Sequence, residues 1–532
     1  MRRRYWLSAA TLIVLPLAAG AFLQQSKEPQ DGARLFSQVL QRIEENAVDS
    51  ISRAAIFERA ARGLVKQLND PYADLYSPEE LASFQRNTLR NNYGGVGMQI
   101  ENQEGAIIVA RIFPNTPGEK GGVIAGDRIL FVDSSAVTGL RLEQVSQKLL
   151  GTPGTEVKVT FQRAGAPEVI KQTFKRAVIR VPAVPYTLML DGGVGYIPLQ
   201  SFNESAAQDV ERSLLDLKGR GAKAYVLDIR GNGGGSLEQA LEINNLFFKP
   251  GQELASVRHR GRTPEIYRAS RLSVIDSVPV VVLVDGSTAS ASEIVAGSLQ
   301  DHDRGLVVGT TSFGKGLVQT LFPIDGGWAM KITTGKWYTP SGRSIQADHD
   351  RLGDERFVEY ADGEGPVATD TTKRKRPEFK SDGGRTILGG GGVTPDVIMT
   401  PDTLPALERD LAKAYGPQYS QWYVALYNTS LQLKNSVKPD FVVQPAWRET
   451  LWSKVQQSKV NVTRAQFDAG LPLVDRSLEG WVAKLAFGDS AAFRRSVRYD
   501  RQLTTALDYL KRGVTQRQLL ALASGAGSKG GE

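Results

Sequence analysis

The run Val278–Val284 is the feature that most limits what this chain can fold into. It is apolar and rich in valine, which is typical of a strand buried on both faces of a sheet. It leads through Asp285-Gly286 into a predicted helix around Ser292–Leu299. Strands and helices alternate in this way over residues 192–338, so the sequence predicts an α/β core.

Composition excludes several classes of site. A chain of 532 residues is too long to fold around a single hydrophobic core, so about two to four domains are expected. The chain has no cysteine, and its three histidines (His259, His302 and His349) have no metal-ligand spacing. We therefore predict no metal and no cofactor. The net charge is +8, but no basic helix interleaved with aromatic residues is present, so no nucleic-acid partner is predicted.

The N-terminus has the pattern of an export signal. Arg2–Arg4 precede the apolar stretch Tyr5–Leu23, and Ala19-Gly20-Ala21 is similar to a small-residue cleavage site. The stretch is also just long enough to span a bilayer. Residues 1–24 are therefore predicted to be either a cleaved signal peptide or an anchor that leaves a membrane tether at residues 5–23. Because the positive residues stay inside, the rest of the chain is predicted to be exported.

Changes in pattern divide the remainder of the chain. Apolar residues at helical spacing give way to short β-branched runs, then to the α/β core, and then to helical patterns again. The predicted parts are an N-terminal helical region over residues 31–92, a β-rich module over 93–182, a core over 183–400 with an insertion over 347–385, a helical domain over 401–522 and a flexible tail over 523–532. For 401–522 a structural cap is favoured over an oligomerisation or partner-binding domain.

Ser290 lies where the apolar strand turns into a helix. Backbone N–H groups at a helix start have no partner within the helix, so a nucleophile there gains hydrogen-bond donors and a favourable dipole. The spacing from Ser290 to Glu293 also fits a capping box, in which the serine would only cap the helix. The turn alone does not decide between these two interpretations.

Lys315 follows twenty-five residues later, between two glycines. A lysine buried in apolar surroundings loses its proton readily and becomes a general base. Residues 317–322 suggest a strand, on which Lys315 and Gln319 would point to the same face, so the Gln319 amide could orient the lysine. Gly309–Lys315 also matches the start of a P-loop, but Gly316 stands where the magnesium-binding Ser or Thr belongs.

The segment Gly231–Gly235 follows another predicted strand and opens a helix. Its glycines are a weak match to a dinucleotide-binding turn. The same geometry would equally supply backbone N–H donors for an oxyanion. The sequence pattern leaves both uses open.

Together these motifs resemble the C-terminal processing (tail-specific) peptidases, the S41 serine protease family. Ser-Thr-Ala-Ser290-Ala-Ser-Glu resembles the nucleophile motif, and Phe-Gly-Lys315-Gly-Leu-Val-Gln319 the Lys–Gln motif. The segment 227–235 resembles the Asp-Leu-Arg-Gly-Asn-Pro-Gly-Gly motif, with Gly233 in place of the proline. The β-rich module resembles a PDZ domain, with its peptide-carboxylate loop at Gly95-Val96-Gly97-Met98.

This resemblance implies an α/β fold with a ClpP/crotonase-like core, an inserted PDZ domain and helical regions at both ends. It implies Ser290 as nucleophile, Lys315 as general base and Gln319 as the residue that orients the lysine. The oxyanion hole would use the N–H groups of Ala291 and of Gly234. Deacylation would use a water activated by the same lysine.

The implied partners are protein substrates with free, apolar C-terminal tails. A Gly-Val-Gly loop exposes N–H groups for a terminal carboxylate, and the adjacent strand edge can pair with the peptide. The resemblance is also compatible with an adaptor or a homo-oligomer. The implied location is the bacterial periplasm or cell envelope, with or without an anchor in the inner membrane. The alternative is a catalytically silent, membrane-tethered PDZ scaffold, which would have no need of Ser290, Lys315 and Gln319.

Overall fold

The computed structural model describes residues 28–85, 92–103, 106–113, 115–124, 126–163, 166–347, 376–400 and 403–526. The predicted signal or anchor, residues 348–375 of the predicted insertion and residues 527–532 of the predicted tail lie outside the described residues. None of the helices in these ranges is long and apolar enough to cross a membrane. The chain divides into two units: residues 1–81 with 319–333, and residues 82–318 with 334–532.

The described helices are α1 (Glu28–Asn46), α2 (Arg53–Lys66), α3 (Pro78–Phe84), α4 (Pro117–Lys120), α5 (Leu142–Leu149), α6 (Ala206–Gly219), α7 (Leu237–Asn245), α8 (Ala291–Asp301), α9 (Ala406–Tyr415), α10 (Tyr419–Leu433), α11 (Pro445–Gln457), α12 (Arg464–Ala469), α13 (Leu471–Phe487), α14 (Asp489–Ser496), α15 (Arg501–Arg512) and α16 (Gln516–Ala526).

The described strands are β1 (Asp74–Tyr76), β2 (Asn92–Gly95), β3 (Met98–Gln103), β4 (Ala106–Ile112), β5 (Arg128–Val132), β6 (Ser135–Ala136), β7 (Glu156–Gln162), β8 (Ile170–Lys175), β9 (Ala177–Arg180), β10 (Leu188–Leu190), β11 (Val194–Pro198), β12 (Ala224–Asp228), β13 (Glu253–His259), β14 (Glu265–Arg268), β15 (Val280–Val284), β16 (Leu306–Gly309), β17 (Leu317–Ile324), β18 (Trp328–Tyr338), β19 (Glu378–Lys380), β20 (Thr386–Leu388) and β21 (Val397–Ile398).

The first unit contains α1, α2 and β1. Helix α3 begins with a capping box: the Ser77 hydroxyl accepts the N–H of Glu80 at 3.3 Å, and the Glu80 carboxylate accepts the N–H of Ser77 at 2.8 Å. Strand β1 pairs antiparallel with β18, with Leu75 opposite Met330. Arg62 of α2 donates to the Leu75 carbonyl at 2.9 Å, which ties this helix to the strand.

Within the second unit, the β-rich module has its own sheet and its own core. The sheet runs in the order β3-β4-β5-β7-β8 with β6 beside β5, and the neighbouring strands are antiparallel. Strands β2 and β9 form a separate antiparallel pair. Helices α4 and α5 accompany the sheet, and the buried core includes Val109, Val145, Val157 and Phe161.

The α/β core is built on a six-stranded sheet in the order β10-β11-β12-β15-β16-β21. Strands β11, β12, β15, β16 and β21 are parallel, and β10 is antiparallel to β11. All five residues of β15 are buried, as the apolar run predicted. Parallel strands place their C-terminal ends at one edge of the sheet, so the turns after β12 and β15 are neighbours.

Helices cover both faces of this sheet. On one face Val280, Val282 and Val284 pack in a core with residues of α6, α7 and α8. On the other face Val281 and Leu283 pack in a core with residues of α15 and α16. The last two described helices therefore complete the α/β core, although the sequence alone indicated only a structural cap for this part of the chain.

Helices α9–α13 form a bundle with a separate core that includes Leu411, Trp422, Leu451 and Phe467. In α14, Asp489 accepts from Arg111 of β4 in the β-rich module at 3.3 Å. From residue 334 onward, β18 pairs antiparallel with β13, and β13 pairs with β14. Strands β19 and β20 form a hairpin at the end of the predicted insertion.

Candidate active site

Ser290 occupies a strained turn between β15 and α8. Its φ of 57° and ψ of −115° lie outside the regions that most side chains favour, at a cost of about 1–3 kcal/mol. Helix α8 starts at the next residue, Ala291. A strained strand-to-helix turn of this kind projects a nucleophile from the edge of a sheet.

The predicted capping box forms only in part. Glu293 Oε2 accepts the backbone N–H of Ser290 at 2.8 Å. The backbone N–H of Glu293 donates to the Ser290 carbonyl at 2.8 Å instead of to its hydroxyl. Glu293 thus fixes the backbone of Ser290 without engaging the serine side chain, which leaves the nucleophile interpretation intact.

Glu293 also binds the loop that carries Lys315. Its Oε1 accepts from the Ser312 hydroxyl at 2.5 Å and from the Gly314 N–H at 2.7 Å, and its Oε2 accepts the Lys315 N–H at 2.9 Å. Since Ser290 and Lys315 donate to the same oxygen, their backbone nitrogens are no more than about 6 Å apart. The structure therefore brings the predicted nucleophile and the predicted base together.

The burial of Glu293 has an electrostatic consequence. The side chain is completely buried, and this burial raises its pKa to about 7, although hydrogen bonds from Ser312, Lys315, Ser290 and Gly314 oppose the shift. The sequence predicts this residue only as a capping partner of Ser290. An acidic residue inside the otherwise small and apolar stretch 289–297 was the available signal for a buried role.

Lys315 is half-buried, and its carbonyl accepts the indole N–H of Trp337 at 3.0 Å. Strand β17 begins two residues later, at Leu317, so the expectation that Lys315 itself lies on the strand is wrong. The reason is local: the Gly316 N–H donates to the Gln346 side chain at 2.8 Å, so only the Gly316 carbonyl bonds to β18, where it accepts the Trp337 N–H at 3.0 Å. Gln319 lies on β17, and its amide donates to the Thr333 hydroxyl at 3.4 Å.

The Gly-rich loop 231–235 lies directly against the turn of Ser290. Asn232 accepts the N–H of Ala289 at 3.0 Å on its carbonyl, and the Gly231 N–H contacts both oxygens of Asp285 at 3.0 and 3.1 Å. A Cβ on Gly234 would lie 2.7 Å from the Ala289 carbonyl oxygen and 3.0 Å from both the Ala291 nitrogen and Ser290 Cβ. Only glycine permits this approach, which places Gly234 beside Ala291 as predicted for an oxyanion hole.

Gly234 already uses its N–H in this structure. It donates to Asn232 Oδ1 at 2.9 Å, while Asn232 Nδ2 donates to the Leu199 carbonyl at 2.8 Å. The Asn232 side chain is buried, so both hydrogen bonds are shielded from water. The Gly234 N–H must therefore leave Asn232 before it can donate to a substrate oxygen.

The predicted peptide-binding residues line a groove of about 490 Å³ in the β-rich module. Gly95, Val96, Gly97 and Met98 form one wall, and α5 forms the opposite wall with side chains that include Leu142, Ser146 and Leu149. Ser201 and Asn203 of the α/β core also line the groove. An extended peptide along β3 would fit this shape, since a strand edge and a neighbouring helix enclose it.

Two protein-family models match the chain: the one described as peptidase family S41 over residues 193–350, and the one described as PDZ domain over residues 108–163. The carboxy-terminal-processing protease of Bartonella bacilliformis is 34% identical over 343 residues, which are 64% of this chain and 77% of that protein. Carboxy-terminal processing protease CtpA of Bacillus subtilis is 35% identical over 290 residues, which are 54% of this chain and 61% of that protein.

Among solved structures, the photosystem II D1 C-terminal processing protease aligns with a TM-score of 0.38 and 28% identity, over 69% of this chain and 87% of that chain. The PDZ domain of the carboxy-terminal protease from Vibrio cholerae, solved in complex with peptide, aligns with a TM-score of 0.16 and 26% identity, over 17% of this chain and 99% of that domain.

Proposed function

Because the chain belongs to peptidase family S41, as a carboxy-terminal processing serine protease with a PDZ domain, we propose that Ser290 and Lys315 form its catalytic dyad. The observation that supports this most directly is the single oxygen of Glu293 that accepts the backbone N–H of both residues. Two segments that share one buried acceptor keep a fixed separation, which a nucleophile and its base require.

In the proposed reaction Ser290 Oγ attacks the carbonyl carbon of the scissile peptide bond, while the neutral amine of Lys315 takes the hydroxyl proton. The carbonyl oxygen becomes an oxyanion that the N–H of Ala291 stabilises, together with the N–H of Gly234 once this group has left Asn232 Oδ1. The C–N bond then breaks as Lys315 returns the proton to the leaving amine. A water activated by Lys315 hydrolyses the acyl-enzyme and restores Ser290.

The role proposed for Gln319 is to orient the Lys315 amine through its side-chain amide. The match of Lys315 and Gln319 to the Lys–Gln motif, inside the segment that matches peptidase family S41, supports this proposal. Substitution of Gln319 by Glu would test it, because a carboxylate near the amine favours the protonated form of the lysine. We expect the activity of this variant to rise only at higher pH than that of the wild type.

We propose that the PDZ groove selects substrates by their C-terminal tails. The loop Gly95–Met98 would bind the terminal carboxylate, and the apolar side chains Leu142 and Leu149 of α5 would favour apolar residues near the end of the tail. The groove also borders Ser201 and Asn203 of the core. A bound tail would therefore lie close to the segment that pairs with the Gly-rich loop through Phe202.

The full-length chain, purified in mild detergent, would be tested for degradation of a model protein with an apolar tail. Ser290→Ala and Lys315→Ala should each abolish cleavage while tail binding is preserved. Ser287→Ala and the exposed Lys336→Ala are the matched controls and should cleave normally. A wild type that binds the tail but never cleaves would favour the silent scaffold or a need for an activating partner, and cleavage by Lys315→Ala at full rate would refute the assigned base.

Export to the bacterial periplasm or cell envelope is proposed from Arg2–Arg4 and the apolar stretch over residues 5–23. Cell fractionation with immunoblotting would test this location. A shortened band in the soluble periplasmic fraction indicates a cleaved signal, and a full-length band in the membrane fraction indicates an anchor. A cytoplasmic location would contradict the proposal.

A further inference from the structure

Arg230 lies between β12 and the Gly-rich loop and binds two carboxylates. Its Nε and Nη2 donate to Asp228 at 2.9 and 2.6 Å, and its Nη1 and Nη2 donate to Asp500 at 3.0 and 2.7 Å. Burial alone would lower the pKa of Arg230, but the hydrogen bonds and charges of Asp228 and Asp500 raise it above its ordinary value. The guanidinium is therefore charged and held from both sides.

Asp500 comes from a distant part of the chain, 270 residues from Arg230 in sequence. It is the N-cap of α15, where its Oδ1 accepts the N–H of Leu503 at 2.9 Å. Leu503 is fully buried against the six-stranded sheet. The carboxylate of Asp500 is thus fixed by a helix that packs on the sheet, and it is not a mobile surface charge.

The backbone that follows Arg230 continues directly into the Gly-rich loop 231–235. The Arg230 N–H donates to Asp228 Oδ1 at 3.1 Å, and the next residue, Gly231, is held by Asp285. Three residues further on, Gly234 contacts the turn of Ser290. A displacement of Arg230 would move the start of this loop, and errors of about 1 Å in an active site can cost about 100-fold in rate.

We infer that Asp500 is a positioning residue for the Gly-rich loop 231–235. It acts through Arg230 and is held by helix α15, which covers one face of the sheet. The kinetic part of this inference rests on the proposed Ser290 chemistry. An arginine that binds two carboxylates has little freedom to rotate, because its planar donors are matched on both edges. Arg230 Nη1 also donates to Gln502 Oε1 at 3.4 Å, so loss of the Oδ2 acceptor of Asp500 loosens the guanidinium without releasing it, and the loop start gains freedom.

The test uses a substitution that spares the helix. Asp500→Asn keeps an acceptor for the N–H of Leu503, since Asn and Asp are about equally good N-caps. Its amide nitrogen cannot accept the second hydrogen bond from Arg230. The matched control is Asp475→Asn, which makes the same exchange in the Arg448–Asp475 pair of the helical bundle, where both hydrogen bonds measure 2.7 Å.

Four measurements on the full-length variants separate positioning from stability. The rate of Ser290 labelling by a fluorophosphonate reports the active site without a protein substrate. Cleavage of a model protein with an apolar tail gives kcat and KM, hydrogen exchange over residues 231–235 reports the freedom of the loop, and thermal unfolding reports stability. We expect Asp500→Asn to lose about tenfold in labelling rate and kcat, with KM within about twofold and faster exchange in the loop.

Asp475→Asn should match the wild type in labelling, kinetics and loop exchange. Asp500→Asn with wild-type labelling and exchange would overturn the inference, and so would an equal loss in Asp475→Asn. A wild type that is neither labelled nor active would contradict the proposed function instead. In that case the hydrogen exchange of the loop in Asp500→Asn still decides whether Asp500 positions it.

Discussion

The buried carboxylate of Glu293 accepts the backbone N–H of Lys315 at 2.9 Å. The same oxygen accepts the N–H of Ser290, so one side chain sets the distance between the two residues of the proposed dyad. This relationship makes Glu293 as important to the geometry of the site as the dyad itself, although Glu293 takes no part in the proposed proton transfers.

The first prediction concerns Glu293→Gln. The amide would present N–H donors to backbone N–H groups, so at least one buried hydrogen bond is lost and a donor faces a donor. We expect protease activity to fall by about 100-fold and stability to fall by about 2–4 kcal/mol. Cleavage assays and urea unfolding would measure both quantities.

The control is Glu479→Gln, which removes the charge of another buried glutamate, one on α13 that pairs with Arg495 of α14 at 2.6 Å. This variant should lose stability but keep its cleavage rate at temperatures where it is folded. Equal activity of the two glutamine variants would refute the role assigned to Glu293.

The second prediction is a pH dependence of stability. Burial raises the pKa of Glu293 from 4.5 to about 7, so between these values the folded state binds a proton that the unfolded state has released. The contribution of this group to the free energy of unfolding is therefore largest below pH 4.5 and declines by a few kcal/mol as pH rises to about 7. Wild type should lose stability between pH 5 and pH 7 relative to Glu293→Gln, as measured by urea unfolding. If the free energy of unfolding varies with pH in the same way for both proteins, the raised pKa of Glu293 is contradicted.

The third prediction contrasts two neighbouring glycines. Gly234 has a φ of +98°, and an added Cβ would lie 2.7 Å from the Ala289 carbonyl oxygen, so Gly234→Ala must displace the loop from Ser290. We expect a loss of at least about 100-fold in the rate of fluorophosphonate labelling. Gly233→Ala is the control, because nothing lies within 4 Å of its added Cβ. Gly233→Ala should retain activity within about threefold. A similar loss in both variants would contradict the role assigned to the close approach of Gly234 to the turn of Ser290.

The fourth prediction separates recognition from catalysis. Gly97 has a φ of +82°, and an added Cβ would lie 2.2 Å from Thr116 Cβ, so Gly97→Ala must distort the loop that lines the PDZ groove. Binding of an apolar-tailed peptide, measured by fluorescence anisotropy, should weaken at least about tenfold while labelling of Ser290 continues. Gly122→Ala is the matched control, with a φ of +71° and nothing within 4 Å of its added Cβ. Unchanged peptide binding by Gly97→Ala would place recognition elsewhere.

Much of the fold could be predicted because its signals are local. The apolar run of β15 indicated a strand buried on both faces, and the motifs around Ser290 and Lys315 carried the family resemblance. The predicted fold class, the S41 family and the PDZ domain are confirmed. The assignment as a serine peptidase is confirmed by the same matches.

The parts that sequence reasoning missed depend on contacts between distant segments. The sequence indicates Glu293 only as a capping partner three residues from Ser290. The hydrogen bond that Glu293 accepts from the Lys315 N–H forms only when the loop folds over α8. The predicted strand begins at Leu317 as expected, but Lys315 does not lie on it, and the Gly316 N–H between them donates to Gln346. The contact of Asp500 with Arg230 crosses 270 residues, a distance over which no periodicity gives a signal.

The position of α15 and α16 on the sheet also orders the events of biosynthesis. A ribosome releases β12, the Gly-rich loop and Ser290 long before it releases the helices that cover Val281 and Leu283. Until those helices emerge, one face of the sheet stays open and Arg230 has no Asp500 to bind. The chain is therefore expected to gain proteolytic activity late, only after α15 and α16 have packed on the sheet.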